Sequence, residues 1–120
     1  MSKFDNNGCL GNLKFLVVCV MLLHDKKLNA TERLLMATIL GLHWVGGYGC
    51  YASNAYLGNV VNLSNSRVSS LLTQLSKEGY IKVHMERDAY TGKVIKRYIE
   101  PLSFEEDYEE LMATNFEPFR

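Results

Sequence analysis

Residues 53–87 read SNAYLGNVVNLSNSRVSSLLTQLSKEGYIKVHMER. Ser53 or Asn54 can cap a short helix reaching Val61, with Tyr56, Leu57, Val60 and Val61 as its apolar positions. Asn62-Leu63 makes a tight connection, and Ser64 caps a second helix that ends near Glu78-Gly79. In that helix Val68, Leu71, Leu72 and Leu75 fall at i, i+3, i+4 and i+7, so one face is apolar. Gly79 stands where a helix C-cap favours a residue without a Cβ. From Tyr80 the period drops to two: Ile81, Val83 and Met85 share one face, and Lys82, His84 and Glu86 share the other. Asp88-Ala89-Tyr90-Thr91-Gly92 is turn material, Val94 to Ile99 reads as a returning strand, and Pro101 ends it. Two short helices joined by a tight turn and followed by a hairpin predict a winged helix-turn-helix.

The flanks supply the rest of the core. Asn29 with Glu32 three residues on has the spacing of a capping box, which predicts a helix from Ala30 to about Val45. Leu34, Leu35, Met36, Ile39, Leu40 and Leu42 cover more than half of its circumference, as befits a central helix touched from two sides. Gly46, Gly47 and Gly49 end it and lack the Lys-Ser/Thr ending of a phosphate loop, so they read as a flexible turn. Upstream, Phe15 to Val20 is rich in β-branched and aromatic residues and predicts a buried strand, followed by a turn or short helix over Leu22 to Leu28. Cys50–Ala52 predicts a short strand. Ser103-Phe104-Glu105-Glu106 again has capping-box spacing and predicts a short helix from Ser103 to about Ala113. The expected class is α+β: a winged helix-turn-helix with a three-helix core and a C-terminal β-hairpin wing, plus a short acidic C-terminal helix or tail. The expected divisions are a flexible N-terminus over 1–12, the winged-helix domain over 13–102 and the acidic tail over 103–120.

The 120 residues are 48% hydrophobic and 22% charged, the balance of a folded domain. Three cysteines at wide spacing, Cys9, Cys19 and Cys50, fit neither a disulfide framework nor a metal site, so a reducing cytoplasm is expected. The longest apolar run, Phe15 to Leu23, falls well short of the roughly 20 residues of a spanning helix, so no membrane partner is expected. Net charge is zero, but the average conceals an asymmetry. Residues 1–99 hold twelve of the thirteen Lys and Arg against six acids, a charge of +6; residues 100–120 hold seven acids against Arg120, a charge of −6. A basic body with an acidic tail says more about partners than the sum.

The outward positions of the helix capped by Ser64 are Asn65, Ser66, Arg67, Ser69, Ser70, Thr73 and Gln74. They are short hydrogen-bonding side chains with one arginine and no acid before Glu78, which suits entry into a major groove. The bland alternative is a solvated polar helix. The wing adds Lys82, His84, Arg87, Lys93, Lys96 and Arg97, with Tyr90 near its tip. Arg87 and Lys93 flank the turn and are the expected phosphate contacts, whereas Lys82, Lys96 and Arg97 can equally solvate the outer sheet face. The expected DNA-contacting set is therefore Ser53, Asn54, Asn65, Ser66, Arg67, Ser69, Ser70, Thr73, Arg87 and Lys93.

These residues carry a family resemblance. Leu28-Asn29-Ala30-Thr31-Glu32-Arg33-Leu34-Leu35 looks like the first main helix of certain replication proteins, and Tyr51-Ala52-Ser53-Asn54 resembles their entry to the helix-turn-helix. Leu57 through Val68 and the junction Leu75-Ser76-Lys77-Glu78-Gly79-Tyr80-Ile81 fit the same frame, and Gly92, Arg97 and Ile99 complete the wing. Residues 13–99 thus resemble the N-terminal winged-helix domain of Gram-positive phage and plasmid replication initiators and of DnaD-like primosomal proteins. The resemblance implies double-stranded DNA as partner and a role in replication initiation; the junction also resembles that of transcription regulators. Initiators continue into a second domain, where this sequence has the short acidic tail, so replisome loading is not carried over.

Enzymatic patterns are missing. His24, His43 and His84 lie on different elements, and no HExxH, GxSxG or paired catalytic carboxylate occurs, so neither catalysis nor a metal or other cofactor is expected. Cys19 reads as core, and Trp44, Tyr48 and Tyr51 as packing under the helix-turn-helix. A single helix and wing read few base pairs, which predicts a homodimer on DNA. The competing expectation is a winged helix that binds and inhibits a host protein, such as a defence nuclease, with the acidic tail contributing. There Phe104, Tyr108, Leu111 and Met112 can form one apolar stripe of a helix too short to stand alone. The stripe's docking surface is its own domain, a second subunit or a host protein, and an inert tail is the remaining alternative.

Overall fold

The computed structural model describes residues 16–46 and 50–113. Its elements are α1 (Val20–Leu23), α2 (Ala30–Gly46), α3 (Asn54–Val61), α4 (Asn65–Lys77), β1 (Ile81–Arg87), β2 (Val94–Pro101) and α5 (Glu105–Ala113). This is a winged helix-turn-helix of the α+β class.

The capping box is present in full: Asn29 Oδ1 accepts from the Glu32 amide at 2.8 Å, and Glu32 Oε1 accepts from the Asn29 amide at 2.9 Å. Two otherwise orphaned donors at the start of α2 are thereby satisfied. Along α2, Leu35, Met36, Ile39 and Leu40 are fully buried, and the helix packs against α1, α3, β2 and α5. Leu34 departs from the expected apolar face and stands largely exposed.

The turn between α3 and α4 rests on two residues. Asn62 adopts the left-handed conformation (φ 59°), and the Leu63 amide donates back to the Gly58 carbonyl at 2.8 Å. A Cβ on Gly58 would lie 2.3 Å from the Leu63 carbonyl oxygen, so only glycine permits this approach. α4 ends in a Schellman arrangement: the Tyr80 amide donates to the Leu75 carbonyl at 2.9 Å, the Gly79 amide to Ser76 at 3.1 Å, and Gly79 takes φ 85°. The chain then enters β1 directly. β1 and β2 pair antiparallel, Val83 opposite Ile99 and Met85 opposite Arg97, with an irregularity between Glu86 and Arg87.

Three expectations are corrected. The strand expected over Phe15 to Val20 is not formed in its described part: residues 16–19 have no regular structure, and α1 begins at Val20. Leu16, Val17, Val18 and Cys19 pack half-buried against the core, so this apolar run serves burial without strand pairing. The strand at Cys50–Ala52 contracts to one bridge, Cys50 to Ile99, with backbone bonds of 2.9 and 2.8 Å. The last helix starts at Glu105, two residues after Ser103, because Phe104 takes a positive φ of 67°.

That same backbone turn docks the tail. Phe104 stacks on Tyr80 with ring planes 5° apart, and Tyr108 is fully buried, its hydroxyl donating to the Val17 carbonyl. Burial raises the Tyr108 phenol above its ordinary range. Of the three docking surfaces open to the stripe, Phe104 and Tyr108 take the chain's own body. The side chains of Leu111 and Met112, together with residues 1–15, 47–49 and 114–120, lie outside the described residues, and with them the expected flexibility of 1–12.

Candidate nucleic-acid interface

α4 is divided cleanly. Val68, Leu71, Leu72 and Leu75 are buried, while Asn65, Ser66, Arg67, Ser69, Ser70, Thr73 and Gln74 are exposed. Ser64 caps the helix, its Oγ accepting from the Arg67 amide at 3.2 Å, and Ser53 caps α3 by accepting from the Tyr56 amide at 3.1 Å. Neither helix has an acid in its first turn, so both positive dipole ends stay uncompensated. The Ser70 hydroxyl donates to the Ser66 carbonyl and the Thr73 hydroxyl to that of Ser69, at 3.2 and 3.0 Å. In this state both hydroxyls present lone pairs outward and suit donors such as a cytosine or adenine amino group. Gln74 instead donates to Glu78, the residue that caps the end of its own helix.

The wing turn is preorganised. Asp88 Oδ1 accepts from the amides of Tyr90 and Thr91 at 2.7 and 3.0 Å, and the Thr91 and Tyr90 bonds hold its carboxyl below the usual range. Gly92 supplies the required positive φ of 70°. Tyr90 at the tip is 98% exposed, and Lys93 is exposed beside it. Arg87 is exposed too, but its Nη1 donates to the Gly92 carbonyl at 3.0 Å, so part of it braces the turn.

Between α4 and the inward face of the wing lies a cleft of about 420 Å³, lined by Asn54, Ser69, Leu72, Thr73, Ser76 and Lys77 on the helical side and Val83, Met85 and Arg97 on the other. A second basin, about 430 Å³, joins Ser53, Asn54, Asn65 and Arg97. The expected residues Ser53, Asn54, Asn65, Ser69 and Thr73 therefore meet along one rim. Ser66, Arg67 and Ser70 stand exposed on α4, and Arg87 and Lys93 lie beyond the cleft at the turn end of the wing.

Arg97 does not solvate the outer face. It lies inward and half-buried, donating from Nη1 to Asn54 Oδ1 and from Nη2 to the Ala52 carbonyl, each at 2.8 Å, and burial pulls its pKa below the ordinary value. Its parity with the core residue Ile99 was the available signal. Lys77, on the last turn of α4, is the second cation of the cleft and does not figure among the residues expected from the sequence. Lys96 lies over the Tyr51 ring at 4.9 Å, and on the outer face His84 stacks on Tyr98 and bonds Glu100 at 2.8 Å.

Residues 26–81 match the family model of a helix-turn-helix domain. The matched span runs from just before α2 to the first residue of β1; the rest of the wing lies beyond it. No curated protein matches the chain. Fold and match together support a helix-turn-helix DNA-binding domain. No helix among the described residues is long and apolar enough to cross a membrane.

Proposed function

We propose that the chain is a sequence-specific double-stranded DNA-binding protein of a phage or mobile element. It acts in the cytoplasm, in replication initiation or transcription control, by binding alone and without catalysis or cofactor. One observation carries the DNA reading: the exposed face of α4 is short, polar and free of acids, and it shares a cleft with Arg97 of the wing, whose preorganised turn carries Arg87 and Lys93 beyond it. The phage or mobile-element setting is supported by the resemblance to replication initiators. A homodimer is supported by the small footprint of one helix and one wing. The host-protein alternative is less favoured, because Phe104 and Tyr108, half of its expected contact stripe, are packed on the chain's own body.

The test is duplex binding measured by electrophoretic shift at two salt concentrations, with a selected site against random sequence. Binding to random duplex should fall steeply with salt, and the selected site should bind more tightly at both concentrations. Lys93→Ala should weaken every duplex alike and reduce the salt slope by about one. A chain that binds no duplex at low salt would refute the proposal.

A further inference from the structure

We infer that Arg97 is a positioning residue that aims the Asn54 amide at the DNA backbone, with Asn54 itself making a phosphate contact. The inference rests on the DNA-binding reading above. A guanidinium carries donors only, so the atom of Asn54 that faces Nη1 at 2.8 Å is its oxygen. The Asn54 Nδ2 group, with two N–H donors, is left for an acceptor elsewhere. Asn54 lines both the cleft and the adjoining basin, so an acceptor on either side of the rim is within its compass. Nη2 bonds the Ala52 carbonyl, also at 2.8 Å, which fixes the guanidinium against the backbone entering α3. Arg97 stands on β2 opposite Met85, so the same side chain ties the wing to that entry. The fork needs two nitrogens held in one plane, and a lysine has one.

The experiment uses the full chain, a duplex it binds, and variants at both positions. Asn54→Asp keeps an oxygen for Arg97 and removes the two donors. It should melt no lower than wild type and bind duplex about tenfold or more weakly, the worth of a hydrogen bond to a charged group. Arg97→Lys keeps the charge but not the fork and should lose a comparable factor. In the pair Asn54→Ala and Arg97→Met the double variant should bind no worse than Arg97→Met alone, because without the guanidinium the Asn54 amide is no longer aimed. In NMR spectra the Asn54 side-chain NH2 pair should shift on adding duplex to wild type and stay put in Arg97→Met. Wild type that binds duplex while Asn54→Asp binds equally well overturns this inference and leaves the DNA reading intact. Multiplying losses in the double variant, or full binding by Arg97→Lys, also overturn it. Wild type that binds no duplex overturns both readings together.

Discussion

α4 and α5 are both short amphipathic helices, and they differ in what they leave outside. α4 buries four aliphatic side chains and shows solvent an acid-free polar face. α5 buries Tyr108 and shows Glu106, Glu109 and Glu110. The first surface suits a polyanion and the second repels one. Their neighbours differ as well. α4 packs on α3 and β1, whereas α5 packs on α2, with Tyr108 bonded to Val17 and Phe104 stacked on Tyr80. The acidic segment is thus tied to the body through contacts that use none of the outward residues of α4. Among the described residues the acids of α5 and the polar face of α4 thus stand on helices that pack on different elements.

The docking of α5 is the part most easily undone. Tyr108→Ala should cost about 3–5 kcal/mol, because it empties a fully buried aromatic site and removes the hydroxyl bond. Duplex affinity of the folded fraction should hold. A urea midpoint equal to wild type would mean that α5 is not docked in solution. A melt that falls together with a rise in low-salt affinity would instead place the acids close enough to shield the rim.

On the α4 side the geometry hangs on Gly58. Gly58→Ala forces its Cβ against the Leu63 carbonyl and should destabilise by about 1–3 kcal/mol. The turn would have to open and α4 to shift on α3, so duplex binding should fall along with the melting temperature. Unchanged values of both would show that the turn relaxes freely. Arg67→Ala is complementary: it should leave the melt alone and cost about 1–3 kcal/mol at the selected site, with little change on random sequence. Equal losses on both duplexes would reassign Arg67 from base reading to phosphate contact.

The comparison also shows where the sequence was legible. The Asn29 and Glu32 box, the Ser53 and Ser64 caps, the Gly79 terminus and the alternation of β1 are local, set by side chains within a few residues of the backbone they satisfy. What failed depends on distant partners. Phe15 to Val20 has strand composition, but a strand exists only where it pairs, and the described sheet pairs β1 with β2 and Cys50 with Ile99 alone. Ser103 has the cap spacing, yet Phe104 turned to stack on Tyr80 and moved the helix start. Arg97 reads as one cation among several, because its acceptors Ala52 and Asn54 lie more than forty residues away.

Tyr80 is where the two regions meet, and it yields the smallest effect. Its amide closes the end of α4, its carbonyl accepts from Leu102 on the way to α5, and its ring lies under Phe104. Its hydroxyl donates to Asp25 Oδ2 at 2.8 Å. Burial first, and then the bond to Asp25, push the phenol up to about 12. The folded state therefore holds this proton more tightly than the unfolded chain, whose tyrosine titrates near about 10. The stabilisation is complete below about pH 10 and is lost as pH rises toward about 12, where the unfolded state has already released the proton. Tyr80→Phe keeps the ring stack and removes the titration, at a cost of about 1 kcal/mol near pH 8. The gap between wild type and variant, read from urea midpoints, should narrow between about pH 10 and pH 12. A gap that stays constant across that interval would detach the phenol from the stability of the junction and leave the stack on Phe104 as its whole contribution.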